Sequence, residues 1–275
     1  MMRVQTTTPS FKPDWRILAV LGLVLLGAAW LFFDIMEDMV IDDPLVPLDT
    51  NTFRMLRDMR TAGWDAVMIG ITELGDTWVA WAMTIVVALW LAYKKALRTL
   101  AYWIVAIGGG SLINTVIKST LHRARPTDLY LNGASAFSFP SGHSTVNAVL
   151  YGFLTILIVR EIKPIWRIPV VIGAAILIGA IAFSRLYLGA HWLSDVLGGL
   201  AFGAMWLALL SLVYMYRRGE EIEPVKLLSV AGATLIIAGG LNIALNHAQD
   251  TQRYAVKICC TAAGNVQQLP AKPGP

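Results

Sequence analysis

The sequence predicts an all-α fold: a polytopic transmembrane helix bundle with a core of six spans and a seventh towards the C-terminus. Three observations predict it. Hydrophobic residues make up 56% of the 275 residues and charged residues only 15%, where a soluble domain carries about 25% charged residues. The mean hydropathy is +0.61. Long apolar runs recur between short charged segments, and continuous runs read as helices rather than as the alternating strands of a barrel. Together these exclude a disordered chain, a coiled coil and a typical soluble enzyme. The net charge of +4, from 22 basic and 18 acidic residues, includes no basic cluster with interleaved aromatics. The expected partner is therefore the lipid bilayer and not nucleic acid.

The first run, Ile17–Phe33, follows Arg3, Lys12 and Arg16. It fits either a signal peptide or a retained helix. No small-x-small cleavage site follows it, only Phe33-Asp34-Ile35-Met36-Glu37, which favours the retained helix. The connection Asp34–Asp76 is acidic at Asp34, Glu37, Asp38, Asp42, Asp43 and Asp49. Its second half, Phe53–Leu74, spaces Phe53, Leu56, Met59, Trp64, Val67, Met68 and Ile71 like an amphipathic helix. Such a helix lies at the membrane surface near a substrate entrance, or packs over the bundle. Trp64 and Trp78 suit an interfacial position.

Six further runs follow: Thr77–Tyr93, Leu100–Ile117, Ser144–Val159, Ile168–Phe183, Trp192–Tyr216 and Leu227–Leu245. A span needs roughly 17–25 residues, so the runs starting at Ser144 and Ile168 should extend into their flanks. Asn114 and Asn147 lie inside spans and read as hydrogen-bond partners between helices. The expected organisation is a core over 1–216, an additional helix over 217–245 and a polar tail over 246–275. Cys259 and Cys260 are too few and too close for a disulfide framework or a zinc site.

Orientation follows from Lys and Arg in the short segments. Arg3, Lys12 and Arg16; Lys94, Lys95 and Arg98; Arg160, Lys163 and Arg167; and Arg217, Arg218 and Lys226 occupy alternate connections. All four segments fall on one side, the cytoplasm. The opposite side receives Asp34–Asp76, Lys118–His143, the turn near Arg185–His191, and the C-terminal tail.

Three segments place polar groups at membrane depth on that outer side, where ionisable residues are costly and usually functional. In Lys118-Ser-Thr-Leu-His122-Arg-Ala-Arg125-Pro126, continued helix would put Lys118, His122 and Arg125 on one face, ended by Pro126. Cations so held suit a phosphate, or simply meet lipid headgroups. In Pro140-Ser141-Gly142-His143, Ser141 is a natural helix N-cap. The helix start is an anion site that Gly142 lets an anion approach, and His143 beside it could donate a proton. In Ser184-Arg185 through His191 to Asp195, the His and Asp share a helical face. The carboxylate can fix the imidazole tautomer, or the two can be a structural pair.

Lys-x6-Arg-Pro, Pro-Ser-Gly-His and Ser-Arg-x5-His-x3-Asp occur here complete and in order over Lys118–Asp195. This set resembles the type 2 phosphatidic acid phosphatase (PAP2) superfamily, which includes membrane lipid phosphatases, glucose-6-phosphatase and soluble vanadium haloperoxidases. The resemblance implies a six-helix core, here about Ile17–Tyr216, so that the seventh span and the tail exceed the family pattern. It implies that His191 is the nucleophile forming a phosphohistidine and that Asp195 orients it. His143 would be the acid for the leaving oxygen and then the base for water. Lys118, Arg125, Arg185, Ser141 and Gly142 would hold the phosphoryl oxygens, with no metal and no cofactor.

The implied activity is hydrolysis of a lipid phosphate or pyrophosphate on the extracytoplasmic side of a bacterial plasma membrane, with the N-terminus in the cytoplasm. The alternatives are transfer of the phosphate to a second lipid, or a non-catalytic lipid-binding or transport protein. Undecaprenyl pyrophosphate, phosphatidylglycerol phosphate, phosphatidic acid and lipid A phosphates are all open as substrates. The loop Thr127–Phe139 is expected to form the rim that selects among them. His122 reads as a loop contact or a surface residue, and His247 as interfacial.

Overall fold

A computed structural model describes residues 15–39, 45–126, 136–216 and 219–255. Arg3, Lys12, Asp42, Asp43, Arg217, Arg218, Cys259, Cys260 and the segment 127–135 lie outside the described residues. The described chain is helical throughout and has no strand. Its elements are α1 (Trp15–Asp38), α2 (Leu45–Asp58), α3 (Ala62–Leu74), α4 (Thr77–Tyr93), α5 (Leu97–Ile104), a π-turn (Val105–Gly109), α6 (Gly110–Leu121), α7 (Gly142–Glu161), α8 (Pro164–Tyr187), α9 (Leu193–Tyr216) and α10 (Pro224–Tyr254).

Seven stretches among the described residues are long and apolar enough to cross a membrane. They are α1, α3 with α4, α5 through α6, α7, α8, α9 and α10. The two short runs do extend into their flanks, as α7 and α8. At its start, Ser141 caps α7 and accepts from Ser144 N at 3.4 Å. At its other end, α8 begins with Pro164 in its first turn, where a missing N–H costs nothing. The seventh span does not stop at Leu245; it continues as helix to Tyr254. Part of the expected polar tail is thus helical.

The helices differ in how they meet lipid. α7 and α9 are the most buried spans and α1 the least. Leu23, Leu89, Ile176 and Ile236 face outwards from α1, α4, α8 and α10. Trp103, Phe153, Leu150, Met83 and Leu157 form the fully buried centre. α7 and α9 meet at unusually short range. A Cβ on Gly199 would lie 2.8 Å from the Ser141 carbonyl oxygen, and one on Gly203 would lie 2.9 Å from Ala148 Cβ. Gly199 and Gly203 are a small-xxx-small pair, which lets two backbones approach in a bilayer. Thr145 Oγ1 uses the proximity to donate to Gly199 O at 3.2 Å.

Asn114 and Asn147 act between helices as expected. Asn114 Nδ2 donates to Thr145 Oγ1 at 3.0 Å, joining α6 to α7. Asn147 Nδ2 donates to Gly75 O at 2.9 Å, at the break between α3 and α4. In the π-turn, Trp206 Nε1 donates to Ala106 O at 2.9 Å.

The amphipathic segment forms two helices, and both pack on the bundle. α2 starts earlier than the apolar spacing predicts and carries a buried Asp49 to the start of α9. Phe53 lies 5.8 Å from the Trp192 ring. α1 belongs to the same assembly: Phe32 stacks on Phe139 at 6.0 Å and lies 5.5 Å from Phe202.

At one end of the bundle, three of the basic segments converge. Lys94 Nζ donates to Glu223 at 2.7 Å, Arg98 N to Glu220 at 2.9 Å, and Arg160 Nη2 to Glu220 O at 3.0 Å. The three motif segments gather at the other end.

Candidate active site

α6 delivers Lys118, and the chain then turns earlier than the sequence predicts. The helix ends at Leu121, and His122 adopts a left-handed conformation with φ 50°. Lys118, His122 and Arg125 therefore do not share a helical face. The physical reason is the return path: Arg123 O accepts from Ser138 N at 2.8 Å, which closes the loop back onto itself. Arg125 reaches the site from the non-helical segment that follows α6 instead. Its Nη1 lies 3.0 Å from His191 Nε2 and donates to Ala190 O at 2.7 Å. His122 is a loop contact, edge-on to Phe137 at 4.3 Å.

Lys118 is buried and donates to the carbonyls of Phe137 at 2.9 Å and Ser138 at 3.2 Å. Those carbonyls orient the ammonium towards the start of α7. A Cβ on Gly142 would meet Asn114 Oδ1 at 3.7 Å and Lys118 Cε at 3.9 Å, so the helix start and the lysine are neighbours. The Ser141 hydroxyl accepts from Ser144 Oγ at 3.0 Å as well as from Ser144 N. It acts here as the cap that exposes the first N–H groups of α7.

α8 ends at Tyr187 and passes through Gly189, at φ 68°, a backbone conformation natural to glycine at a helix end. That turn directs Ala190 N and His191 N back onto Arg185 O, at 3.0 and 3.3 Å. His191 thus precedes α9 rather than lying on it, yet its Nδ1 is 3.3 Å from Asp195 Oδ2. Burial, reinforced by the positive charges of Arg125, Lys118 and Arg185, holds the His191 imidazole well below its ordinary range. A ring kept neutral presents a lone pair. With Nδ1–H directed at Asp195, that lone pair is on Nε2, the atom facing Arg125.

Asp195 is fully buried, and it has more partners than sequence spacing shows. Oδ2 also accepts from Trp192 N at 2.8 Å and from the Ser138 hydroxyl. Oδ1 accepts from Arg123 Nη1 at 2.7 Å. Arg123 continues to Asp49 Oδ2 at 2.7 Å, and Asp49 accepts from Ser194 N at 2.9 Å. Arg123, Ser138, Asp49 and Ser194 were not predicted. Arg123 and Ser138 sit within or beside the motifs, but Asp49 is too far away in sequence for any spacing rule.

Arg185 is 1% exposed. Its Nη1 donates to Thr72 Oγ1 at 2.8 Å and to Tyr254 OH at 2.9 Å. Arg185, Arg125 and Lys118 stand close enough to act together on the His191 ring. The fold therefore brings the other six predicted residues to the region of His143 and His191, at adjoining helix starts. Among the described residues, no three His, Cys, Asp or Glu side chains are grouped to hold a metal. His247 lies outside this cluster and is more than interfacial: its Nδ1 is 3.0 Å from Glu73 Oε2.

This arrangement has counterparts in known proteins. The chain is 28% identical over 178 residues to phosphatidylglycerophosphatase B of Bacillus subtilis, covering 64% of this chain and 88% of that protein. It is 31% identical over 175 residues to a lipid A 1-phosphatase of Rhizobium etli, covering 54% of this chain and 70% of that protein. It superposes on the crystal structure of a transmembrane PAP2 type phosphatidylglycerolphosphate phosphatase from Bacillus subtilis with a TM-score of 0.58 and 29% identity. That likeness covers 68% of this chain and 94% of the other. The PAP2 superfamily model matches residues 99–219, a stretch that contains all three motifs. Seven candidate spans, the histidine pair within its cation cluster, and these relatives place the chain in the PAP2 superfamily, as a multi-pass membrane phosphatase.

Proposed function

We propose that the protein hydrolyses a lipid phosphate or lipid pyrophosphate on the extracytoplasmic side of a bacterial plasma membrane, through a phosphohistidine on His191 and without a metal. The observation that carries the reading is the placement of His191: Nδ1 towards Asp195 and Nε2 towards Arg125. In this reading the phosphoryl group sits between Nε2 and the cations Lys118, Arg125 and Arg185. The Gly142 N–H at the helix start and the Ser141 cap complete its cradle. Phosphoryl transfer needs mainly positioning and neutralisation of oxygen charge, and three cations supply that.

The His191 lone pair attacks phosphorus, and the N–P bond forms as the bond to the lipid oxygen breaks. With the anionic phosphoryl group offsetting the surrounding cations, His143 carries a proton in the loaded site and gives it to that oxygen. In the second step His143 takes a proton from water as the water oxygen attacks phosphorus. The N–P bond breaks, inorganic phosphate leaves, and both histidines return to their starting states. Two steps replace one difficult displacement.

The named relatives act on two different headgroups, phosphatidylglycerol phosphate and lipid A. Both are phosphate esters of membrane lipids, and that class is the substrate proposed here. Purified protein is assayed in detergent against phosphatidylglycerol phosphate, phosphatidic acid, lipid A and undecaprenyl pyrophosphate. Phosphate release from at least one is expected, abolished by His191→Ala, blocked by vanadate and insensitive to EDTA. Normal turnover by a well-folded His191→Ala protein overturns the reading.

A further inference from the structure

We propose that Tyr254, the last residue of α10, is a positioning residue for the phosphate-binding arginine. Its hydroxyl, with Thr72 Oγ1 of α3, fixes the plane of the Arg185 guanidinium. The inference rests on the reading of Arg185 as a ligand of the phosphoryl group. It adds a part of the chain that lies outside the matched family region 99–219.

Four observations carry it. Arg185 Nη1 donates to both hydroxyls, at 2.8 and 2.9 Å, and Cζ lies 5.8 Å from the centre of the Tyr254 ring. Two acceptors on one nitrogen and a ring beside the plane leave a planar guanidinium little freedom to rotate. Tyr254 is itself held. It is buried, and its carbonyl accepts from Arg60 Nη2 at 2.6 Å. Arg60 in turn grips Asp65 with two bonds, at 3.1 and 3.0 Å. A terminal helical residue usually frays; this one is clamped.

The whole outer half of α10 is also fastened to α3. Asn242 Nδ2 donates to Glu73 O at 3.0 Å, and His247 Nδ1 lies 3.0 Å from Glu73 Oε2. Lastly, Thr72 and Tyr254 come from two helices that carry no motif residue, yet both converge on one nitrogen of one motif residue.

Vanadate is the probe, because it mimics a phosphoryl group and its binding needs no knowledge of the lipid. Its affinity is measured on purified full-length protein by the vanadate-dependent shift in melting temperature. Tyr254→Phe should weaken vanadate binding about tenfold, the scale of one lost hydrogen bond to a charged group. Arg185→Lys should weaken it as well, and adding Tyr254→Phe to Arg185→Lys should cost little more. Thr72→Val removes the other acceptor from a different helix and should repeat the pattern if Tyr254→Phe folds poorly.

Asn242→Ala loosens α10 without touching Arg185. It should lower the melting temperature and leave vanadate affinity unchanged. If Arg185→Lys weakens vanadate while neither Tyr254→Phe nor Thr72→Val does, the brace is wrong and the phosphate role of Arg185 stands. Full additivity with Arg185→Lys, or an equal loss of affinity in Asn242→Ala, also overturns the brace. If Arg185→Lys itself has no effect, the phosphate role of Arg185 falls, and the brace with it.

Discussion

At the scale of single residues, the carboxylate of Asp195 sets the terms for the histidine beside it. A fully buried carboxylate needs a positive partner, and a neutral imidazole cannot be one. Arg123 fills that place at 2.7 Å, shared with Asp49. His191 is then free to use Asp195 as an orienting acceptor rather than as a counter-charge. Arg123→Ala would leave two acids buried without their cation. Unpairing a buried ion typically costs about 3–5 kcal/mol. The expected outcome is a marked fall in melting temperature and, in the fraction that folds, at least a tenfold loss of phosphatase activity by the same hydrogen-bond scale. Arg123→Lys should recover part of both. Full activity in Arg123→Ala would show that Asp195 needs only its histidine.

At the scale of elements, the ends of helices decide where the side chains point, and several ends are secured by distant residues. α5 has no side-chain cap of its own at Ala96. Glu220, from the connection to α10, accepts instead from Arg98 N at 2.9 Å, Thr99 N at 3.0 Å and the Thr99 hydroxyl at 3.0 Å. Partial burial would raise the Glu220 carboxyl, but these donors outweigh it and hold it at about 2. A depressed carboxyl stabilises the fold above its ordinary value of about 4.5, and that contribution is lost as the pH falls towards 2. Glu220→Gln should therefore lower stability at neutral pH by about 1–2 kcal/mol, reduced from the full shift because the group is only half-buried. Thermal melts of the two proteins should converge as the pH is lowered from about 4.5 towards 2. A gap that stays constant across that range would mean that the charge is not what caps α5.

At the scale of the whole molecule, three of the basic segments meet at one end and the motif residues at the other, in keeping with the alternation of Lys and Arg. With Cys259 and Cys260 replaced by Ala, a cysteine at exposed Glu221 should be protected from a membrane-impermeant maleimide in intact cells, and one at exposed Asp58 should react. The reverse pattern would place the site in the cytoplasm. The spans, and the motif residues that the fold brings together, were legible in the sequence because apolar runs and motif spacing are local signals. Asp49, Thr72 and Tyr254 were not, since their partners lie between 69 and 145 residues away in sequence. The end of α6 is hidden from the sequence for a related reason: only the return of Ser138 to Arg123 shows why the helix stops at Leu121.

The close seam at Gly199 and Gly203 has a consequence for how the enzyme experiences its membrane. A bilayer thicker or thinner than a span is accommodated by tilting, at fractions of a kcal/mol per Å of mismatch. α1, α8 and α10 present most of the lipid-facing surface and would absorb that adjustment. α7 and α9 are locked backbone to backbone one turn or so below His143 and Asp195. The distance between the two histidines is thereby insulated from hydrophobic thickness, and a change of acyl-chain length in the host membrane should be felt in substrate access before it is felt in the chemical step.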